Sequence, residues 1–292
     1  QVPHADFFEL SDGSLQAAEA IAAKLTNYSS VVGVGGGRVL DAAKFAASQA
    51  NLPMIAVATN LAHDGIASPV SILEHDGTRS SHGVSVPAAV LIDLDVVRSG
   101  PVRFLRAGIG DVLSNLNAVA DWELAREVNG EEVDGLAASM SRTAATSLLN
   151  HPGTIEDPGF LTTLAEGLVL SGLAMAVAGT SRPCSGACHE ISHAIDMVLP
   201  EKSAPHGEQV AVGALFATYL REATEEFNQL HDALFRHGLP TSPKDLGLTT
   251  EQFAQAVAFA PQTRPDRFTI LEHKNLDEAE LMRVVSDFVA AL

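Results

Sequence analysis

The sequence predicts an α/β fold in two parts, a layered α/β domain over residues 1–98 and an all-helical domain over residues 99–292. Three observations carry that division. Short apolar runs alternate with helical periodicity through the first part, the pattern of a mostly parallel, layered sheet. From about Ser99 the strand signal stops, and apolar residues recur only at helical spacing. The helices are then punctuated at Pro152, Pro158, Pro183, Pro205, the 238–243 region and Pro261.

In chain order, residues 5–10 (ADFFEL) read as a short strand, and Asp12 or Ser14 caps an alanine-rich helix running to residue 25. A buried strand at 31–34 leads into Gly35-Gly36-Gly37 and a helix over 39–48. Residues 55–58 form the next strand, and 60–69 (NLAHDGIASP) form a loop. Residues 70–73 and 83–86 read as a hairpin with its turn at Asp76-Gly77, and 89–93 as a last buried strand. Too few strands precede the glycine turn for a complete dinucleotide-binding half, so a first strand and helix are expected ahead of Gln1. Helical spacing then marks 113–128, 132–149, 160–178, 210–222, 226–236 and 277–292.

Composition narrows the function. With 46 % hydrophobic residues, disorder is excluded as the dominant state. The formal charge of −18, from 18 basic against 36 acidic residues, repels phosphate backbones and anionic lipid. Neither nucleic acid nor a membrane is an expected partner, and an anionic substrate needs locally placed cations, amides or a metal. The two cysteines, Cys184 and Cys188, form no disulfide framework, which suits a reduced, cytoplasmic setting. The most apolar run, 168–179, is short of the ~20 residues a membrane span needs and reads as a core helix.

The chemistry concentrates in SRPCSGACHEISHAIDMVLPEKSAPHGEQ, residues 181–209. His189 and His193 stand at i and i+4 and share a helix face. His206 follows, just before Gly207, where a close backbone approach is cheap. A catalytic metal typically takes three protein ligands and keeps one position open. A third ligand has to come from elsewhere, and Asp111, in the apolar AGIGDVLSNLNAVADW, suits it. A capped helix with solvated histidines is the competing reading of an isolated His-x-x-x-His; the later His206-Gly207 and Asp111 favour the metal. Cys188 is either a soft ligand or, better, a free buried thiol.

Gly35, Gly36 and Gly37 between strand and helix let backbone approach a pyrophosphate at a helix N-terminus, as in a Rossmann-like domain, although a bare tight turn explains them as well. Position 40 is Leu, so the G-x-G-x-x-G spacing is absent, and Arg38, Asp41 and Lys44 only add polarity. His63-Asp64-Gly65 follows a buried strand at the end where open sheets bind ligands, with a plain turn as the alternative. Thr59 and Ser68 flank it and could donate to a cofactor or merely cap the loop. Arg182 and Arg264 are candidates for an anionic group, each equally suited to a structural salt bridge.

VVGVGGGRVLDAAKFAA, NLPMIAVATNLAHDGIASPVSIL, GIGDVLSNLNAVADWELA, SRPCSGACHEISHAID with HGEQVAVG, and APQTRPDRFTIL together resemble the sn-glycerol-1-phosphate dehydrogenase family. That family lies in the metal-dependent alcohol dehydrogenase and dehydroquinate-synthase-like superfamily. The resemblance runs from residue 31 nearly to the end. It implies a Rossmann-like nucleotide-binding domain lacking its first strand and helix, followed by an all-helical metal-binding domain. It further implies hydride transfer between NAD or NADP and a small phosphorylated substrate, dihydroxyacetone phosphate, giving sn-glycerol 1-phosphate, in a cytoplasmic enzyme expected to form a homo-oligomer.

On the matching motifs, Gly37, Arg38, Val39, Leu40, Asp41, Thr59, Asn60, Leu61, Ala62 and Ser68 would line the NAD(P) site. Asp111, His189 and His206 would hold one divalent metal, Zn²⁺ first, with Ni²⁺ or Fe²⁺ as alternatives. Asp64, Asp111 and His193 would meet the substrate and take part in catalysis. The chain departs from the family's pattern at Thr59-Asn60-Leu61-Ala62, usually Thr-Ala-Ala-Ser, at Ala187-Cys188, often Ser-Glu, and at Arg38, usually Lys. A glycerol or polyol dehydrogenase and a dehydroquinate-synthase-like cyclase are the same-fold alternatives. A non-catalytic metal- or nucleotide-binding paralogue is the alternative of another class.

Overall fold

The computed structural model describes residues 5–75 and 77–292, with the backbone alone at 78 and 79. The chain divides into two units, one of residues up to Asn60 with Gly65–Gly100, the other of Leu61–Asp64 with Pro101–Leu292.

In the first unit, Ser14 caps helix α1 (Leu15–Ala22) by accepting from the Ala17 N–H, while Asp12 accepts from Ser14 itself. The helix ends three residues short of the expected 25. Strand β1 (Val31–Gly35), helix α2 (Gly37–Gln49), β2 (Met54–Ala58) and β5 (Ala89–Ile92) build a parallel three-stranded sheet in the order β1-β2-β5. Between them, β3 (Val70–His75) and β4 (Thr78–Gly83) make an antiparallel hairpin, and α3 (Leu94–Ser99) closes the unit with Asp93 as its cap. Ala18, Ala42, Phe45 and Leu73 pack together as its core, joining α1, α2 and β3.

Four expectations are corrected here. Residues 5–10 form no strand, because they pair with no strand among the described residues; a bridge forms further on, from Ser14 to Glu74. The second hairpin strand ends at Gly83 instead of starting there, since His75 pairs with Thr78 across a two-residue loop. Asp76 of the expected turn lies outside the described residues; Gly77 has the left-handed φ of +76° that such a loop requires. The helix after the glycines starts at Gly37, earlier than expected. The runs at 31–34 and 89–93 are not buried on both faces: Val32, Val34 and Leu91 are about half exposed on one face, while Gly33, Met54, Ala56 and Ala58 are covered on the other.

The second unit is helical throughout: α4 (Val102–Asn129), α5 (Gly135–Leu149), α6 (Pro158–Ala178), α7 (Ala187–Val198), α8 (His206–Leu220), α9 (Thr224–Arg236), α10 (Thr250–Phe259), α11 (Ile270–Lys274) and α12 (Glu278–Ala290). Punctuation residues set the boundaries. Asp134, Asp157, Thr249, Thr269 and Asp277 cap α5, α6, α10, α11 and α12, and Pro158 occupies the first position of α6. Gly130 and Gly179 end α4 and α6 in the left-handed conformation. Helix α6 is longer than the apolar run suggested and is, by length and composition, long enough to cross a membrane. Its Phe160, Leu161, Leu164 and Leu168 are fully buried, the role of a core helix.

The contact that positions the site is between α4 and α8. A side-chain carbon on Gly110 would lie 2.1 Å from the Gly207 carbonyl oxygen, and one on Gly207 would lie 1.7 Å from that of Ala107. Only glycine lets these two backbones meet. Arg103 seals the same crossing with a two-pronged bond to Glu208, at 2.7 and 2.8 Å. Likewise the Leu61 carbonyl lies where a carbon on Gly108 would stand. Replacing Gly207 by Ala must drive α8 off α4. The expected cost is about 3 kcal/mol or more in urea unfolding, together with loss of bound divalent metal.

His237 supplies a pH dependence. It is 4 % exposed, stacks on Phe160 at 4.6 Å between ring centroids, and neither ring nitrogen has a partner among the described residues. Burial pushes it down to about 4. Between that value and the ~6.5 of an unfolded histidine, the unfolded chain binds the extra proton, so stability is full above that window and falls as pH drops through it. Unfolding at pH 7 and pH 5 should differ by about 2 kcal/mol from this residue, a part of the slope that His237→Phe removes.

Candidate metal centre

Asp111, His189 and His206 meet inside the second unit. One ligand atom from each lies within 4.8 Å of the others. Asp111 comes from the middle of α4, where AGIGD brings small residues to the crossing and leaves its carboxyl 3 % exposed. His189 sits in the first turn of α7, behind Gly186. His206 is the first residue of α8, which starts four residues before the expected 210.

The two imidazole Nε2 atoms are each 3.8 Å from Asp111 Oδ1. That is too long for a hydrogen bond, and it is a separation that one ion with bonds of about 2.0–2.2 Å can span. The electrostatics agree with a cation. Burial first, and the Asp64 carboxylate second, push the Asp111 carboxyl well above its ordinary range, against the hydrogen bond it accepts from the Asp64 N–H at 2.8 Å. Burial, then His206 and His193, push His189 well below its usual value, so it is a neutral imidazole with a lone pair to give. A buried carboxyl, the neutral imidazole of His189 and the ring of His206 form a donor set suited to a divalent ion, whose charge would favour the carboxylate form.

His193 lies beside this group and outside it. Its ring is 6.1 Å from that of His206 and 6.5 Å from that of His189, and burial with Arg264 and Arg267 pushes it down to about 4. Cys188 is a free thiol on the other nitrogen of the ring, with Sγ 3.3 Å from His189 Nδ1. Burial raises it to about 12, so it is a protonated thiol, and it stands outside the group of three ligand atoms.

The two arginines separate. Arg182 is paired with Glu131 at 2.7 and 2.6 Å and donates to the Phe268 carbonyl, a structural lock. Arg267 donates to the Ser185 carbonyl and to Ser181 Oγ. Arg264 follows the short 3₁₀ turn at Ala260–Thr263, which packs on α7, and its buried Nε has no partner among the described residues.

Within the first unit, Gly36 precedes α2 without a side-chain cap, and Asn60 Nδ2 lies where a carbon on Gly36 would stand. The Thr59 N–H donates to the Gly35 carbonyl. Arg38 packs over Gly13, Val39 lies against Gly35, and Leu40 is a core residue. Asp41 forms a buried pair with Lys44 at 3.0 Å, and Lys44 also donates to the carbonyls of Gly65, Ser68 and Val70. Ser68 is buried, its hydroxyl on the Val70 carbonyl. In the second unit, Leu61 is fully buried and Ala62 half-buried.

Sequence reasoning missed the residues around the ligands. Asp121, fully buried on α4, accepts from the N–H groups of Ala187 and Ile270 at 2.7 and 2.8 Å and from Arg221, which ties the start of α7 to α4. Ser192, Gln209 and Asp196 link α7 to α8 behind His206. The spacing of Ser192 after His189 and of Gln209 after His206, each one helical turn on, was the available signal.

Residues 4–101 match the family described as iron-containing alcohol dehydrogenase. Among solved structures, the chain shares a fold with glycerol dehydrogenase from Schizosaccharomyces pombe, with TM-score 0.77 at 24 % identity over 96 % of this chain and 74 % of that one. It likewise matches sulfoacetaldehyde reductase from Bifidobacterium kashiwanohense in complex with NAD⁺, with TM-score 0.68 at 20 % identity over 98 % and 83 %. The chain therefore has the fold of the iron-containing alcohol dehydrogenases.

Sequence identity then narrows the class. The chain is 41 % identical over 264 residues to the glycerol-1-phosphate dehydrogenase (NAD(P)⁺) of Archaeoglobus fulgidus, covering 89 % of this chain and 75 % of that protein. It is 40 % identical over 284 residues to that of Thermofilum pendens, covering 96 % and 81 %. The chain belongs to the glycerol-1-phosphate dehydrogenase family, as its motifs implied.

Proposed function

We propose that this protein is an oxidoreductase that transfers a hydride between NAD(P)H and dihydroxyacetone phosphate, reversibly, to give sn-glycerol 1-phosphate. The convergence of one buried carboxyl and two imidazoles carries the reading, and the relatives' names favour it over a cyclase, a polyol dehydrogenase or a non-catalytic paralogue. Residues 1–98 take the nicotinamide cofactor, with Gly35, Gly36, Gly37, Arg38, Val39, Leu40, Asp41, Thr59, Asn60 and Ser68 along its site and Leu61 and Ala62 adjoining. Residues 99–292 hold the metal and the substrate.

Asp111, His189 and His206 hold the ion. Zn²⁺ suits this donor set best, and Ni²⁺ and Fe²⁺ also suit it. When bound, the ion supplies Lewis-acid polarisation of the C2 oxygen, and the nicotinamide supplies or accepts the hydride. The chain's own groups do the rest. Asp64 buttresses Asp111 through its N–H and faces the substrate. His193, neutral at pH 7, relays a proton between its two ring nitrogens for the C2 oxygen. Arg264, the arginine near α7 whose Nε is unpartnered among the described residues, holds the phosphate against the repulsion of a −18 chain. A cytoplasmic homo-oligomer acting on this small phosphorylated substrate, with no nucleic-acid or membrane partner, is the setting proposed.

The test is consumption of reduced nicotinamide with Zn²⁺-loaded protein and dihydroxyacetone phosphate, with stereospecific assay of the product. Turnover only with unphosphorylated polyols would replace this reading by the polyol dehydrogenase. Asp111→Asn should lose retained metal and turnover together. Arg264→Gln should raise KM for dihydroxyacetone phosphate about 10- to 100-fold, the worth of a charge-assisted bond, and leave the slow rate on unphosphorylated dihydroxyacetone unchanged.

A further inference from the structure

Behind His206 runs a chain of four side chains whose hydrogen-bond directions are all determined. Ser192 Oγ lies 3.0 Å from His206 Nδ1 and donates to Gln209 Oε1 at 2.7 Å. Gln209 Nε2 in turn donates to Asp196 Oδ1 at 3.1 Å, and Ser203 donates to the same oxygen. Ser192 and Asp196 stand one turn apart on α7, and His206 and Gln209 one turn apart on α8, so the chain crosses three times between the helices that carry two of the three ligands.

The direction follows from the carboxylate end. A carboxylate only accepts, so Asp196 turns the amide nitrogen of Gln209 toward itself and the amide oxygen toward Ser192. That oxygen claims the single hydroxyl proton of Ser192. The serine oxygen is left only lone pairs for His206, so His206 Nδ1 must be the nitrogen that carries hydrogen. Nε2 is then the bare nitrogen, and it is the one 3.8 Å from Asp111 Oδ1. Ser192 and Gln209 are fully buried, so water has no access to substitute for either link. His189 has a poorer partner behind it, the weakly bonding Cys188 thiol.

We infer that Ser192, Gln209 and Asp196 are positioning residues that lock His206 in its metal-binding tautomer, and that Asp196, linked to His206 through Gln209 and Ser192, tunes how tightly the ion is held. The inference rests on the reading of Asp111, His189 and His206 as metal ligands. A hydrogen-bonded group behind a ligating histidine typically changes metal affinity 10- to 100-fold when removed.

The experiment measures the Zn²⁺ dissociation constant of the whole chain by competition with a chromogenic chelator, and the melting midpoint of the same metal-free samples. Ser192→Ala and Gln209→Leu should weaken binding about 10- to 100-fold, and Asp196→Asn by a smaller factor of about 3 to 10. Ser192→Thr, which keeps the hydroxyl, should bind as the parent does. Asp196→Asn, at a half-buried position, should leave the metal-free midpoint unchanged, which separates this role from a general loss of structure. The ring-nitrogen NMR shifts of His206 give the second readout: hydrogen on Nδ1 in the metal-free parent, and a tautomer mixture in Asp196→Asn. Parent-like Zn²⁺ affinity in Asp196→Asn and Ser192→Ala, or hydrogen on Nε2 in the parent, overturns the inference alone. A parent chain that binds no divalent metal overturns the ligand reading as well.

Discussion

The meeting of α4 and α8 backbones at Gly110 and Gly207 is the constraint on which the helical unit depends. With a side chain at either position, the helices could not approach closely enough for the first residue of α8 to face the middle of α4. The segment AGIGD performs this twice, since Gly108 accepts the Leu61 carbonyl on a neighbouring face and so brings the Asp64 N–H onto the Asp111 carboxyl. Two backbone contacts therefore place one carboxyl, one imidazole and one amide within reach of each other. Asp121, further along α4, adds the third element by tethering the N-terminus of α7.

Much of the surrounding chemistry is the management of burial. Asp111, Asp121, Asp41, Lys44 and Glu190 are all nearly or fully buried in a chain that is strongly acidic overall. Each is answered differently. Asp121 has an arginine and two amides, and Asp41 has a lysine. Glu190 is pushed up to about 9 by burial and by its acidic neighbours Glu272 and Asp121, and accepts a bond from Thr269. Among the described residues Asp111 has the one amide, and two imidazoles at a distance that excludes hydrogen bonding. Among the buried carboxyls its surroundings are the ones suited to a cation from solution, which is why the chemistry is assigned there.

Legibility varied with how local the cause was. The long helices could be read because periodicity and caps lie within the sequence they govern: Asp134, Asp157 and Asp277 mark their starts within a residue or two. The short α3 and α11 and the ten-residue α10 carried too few turns to show a period. Strand β4, TRSSHG, has no apolar alternation, so its pairing with β3 could not be read from the sequence. The grouping of Asp111 with the two histidines was suggested by residue type and motif, whereas the helix crossings that bring them together are tertiary. Helical spacing hinted at Ser192 and Gln209, but the bonds of the Ser192–Gln209–Asp196 chain exist only once α7 and α8 lie side by side.

Lys44 is 1 % exposed, with its ammonium spread over three carbonyls and one carboxylate, while Lys24, Lys202 and Lys244 stand in solvent. An amine-acylating reagent meets the solvent lysines at once and meets this one only when the loop at 65–70 lets go of α2. The protein thus contains its own clock for local opening of the α/β unit, readable as the delayed appearance of a single labelled peptide.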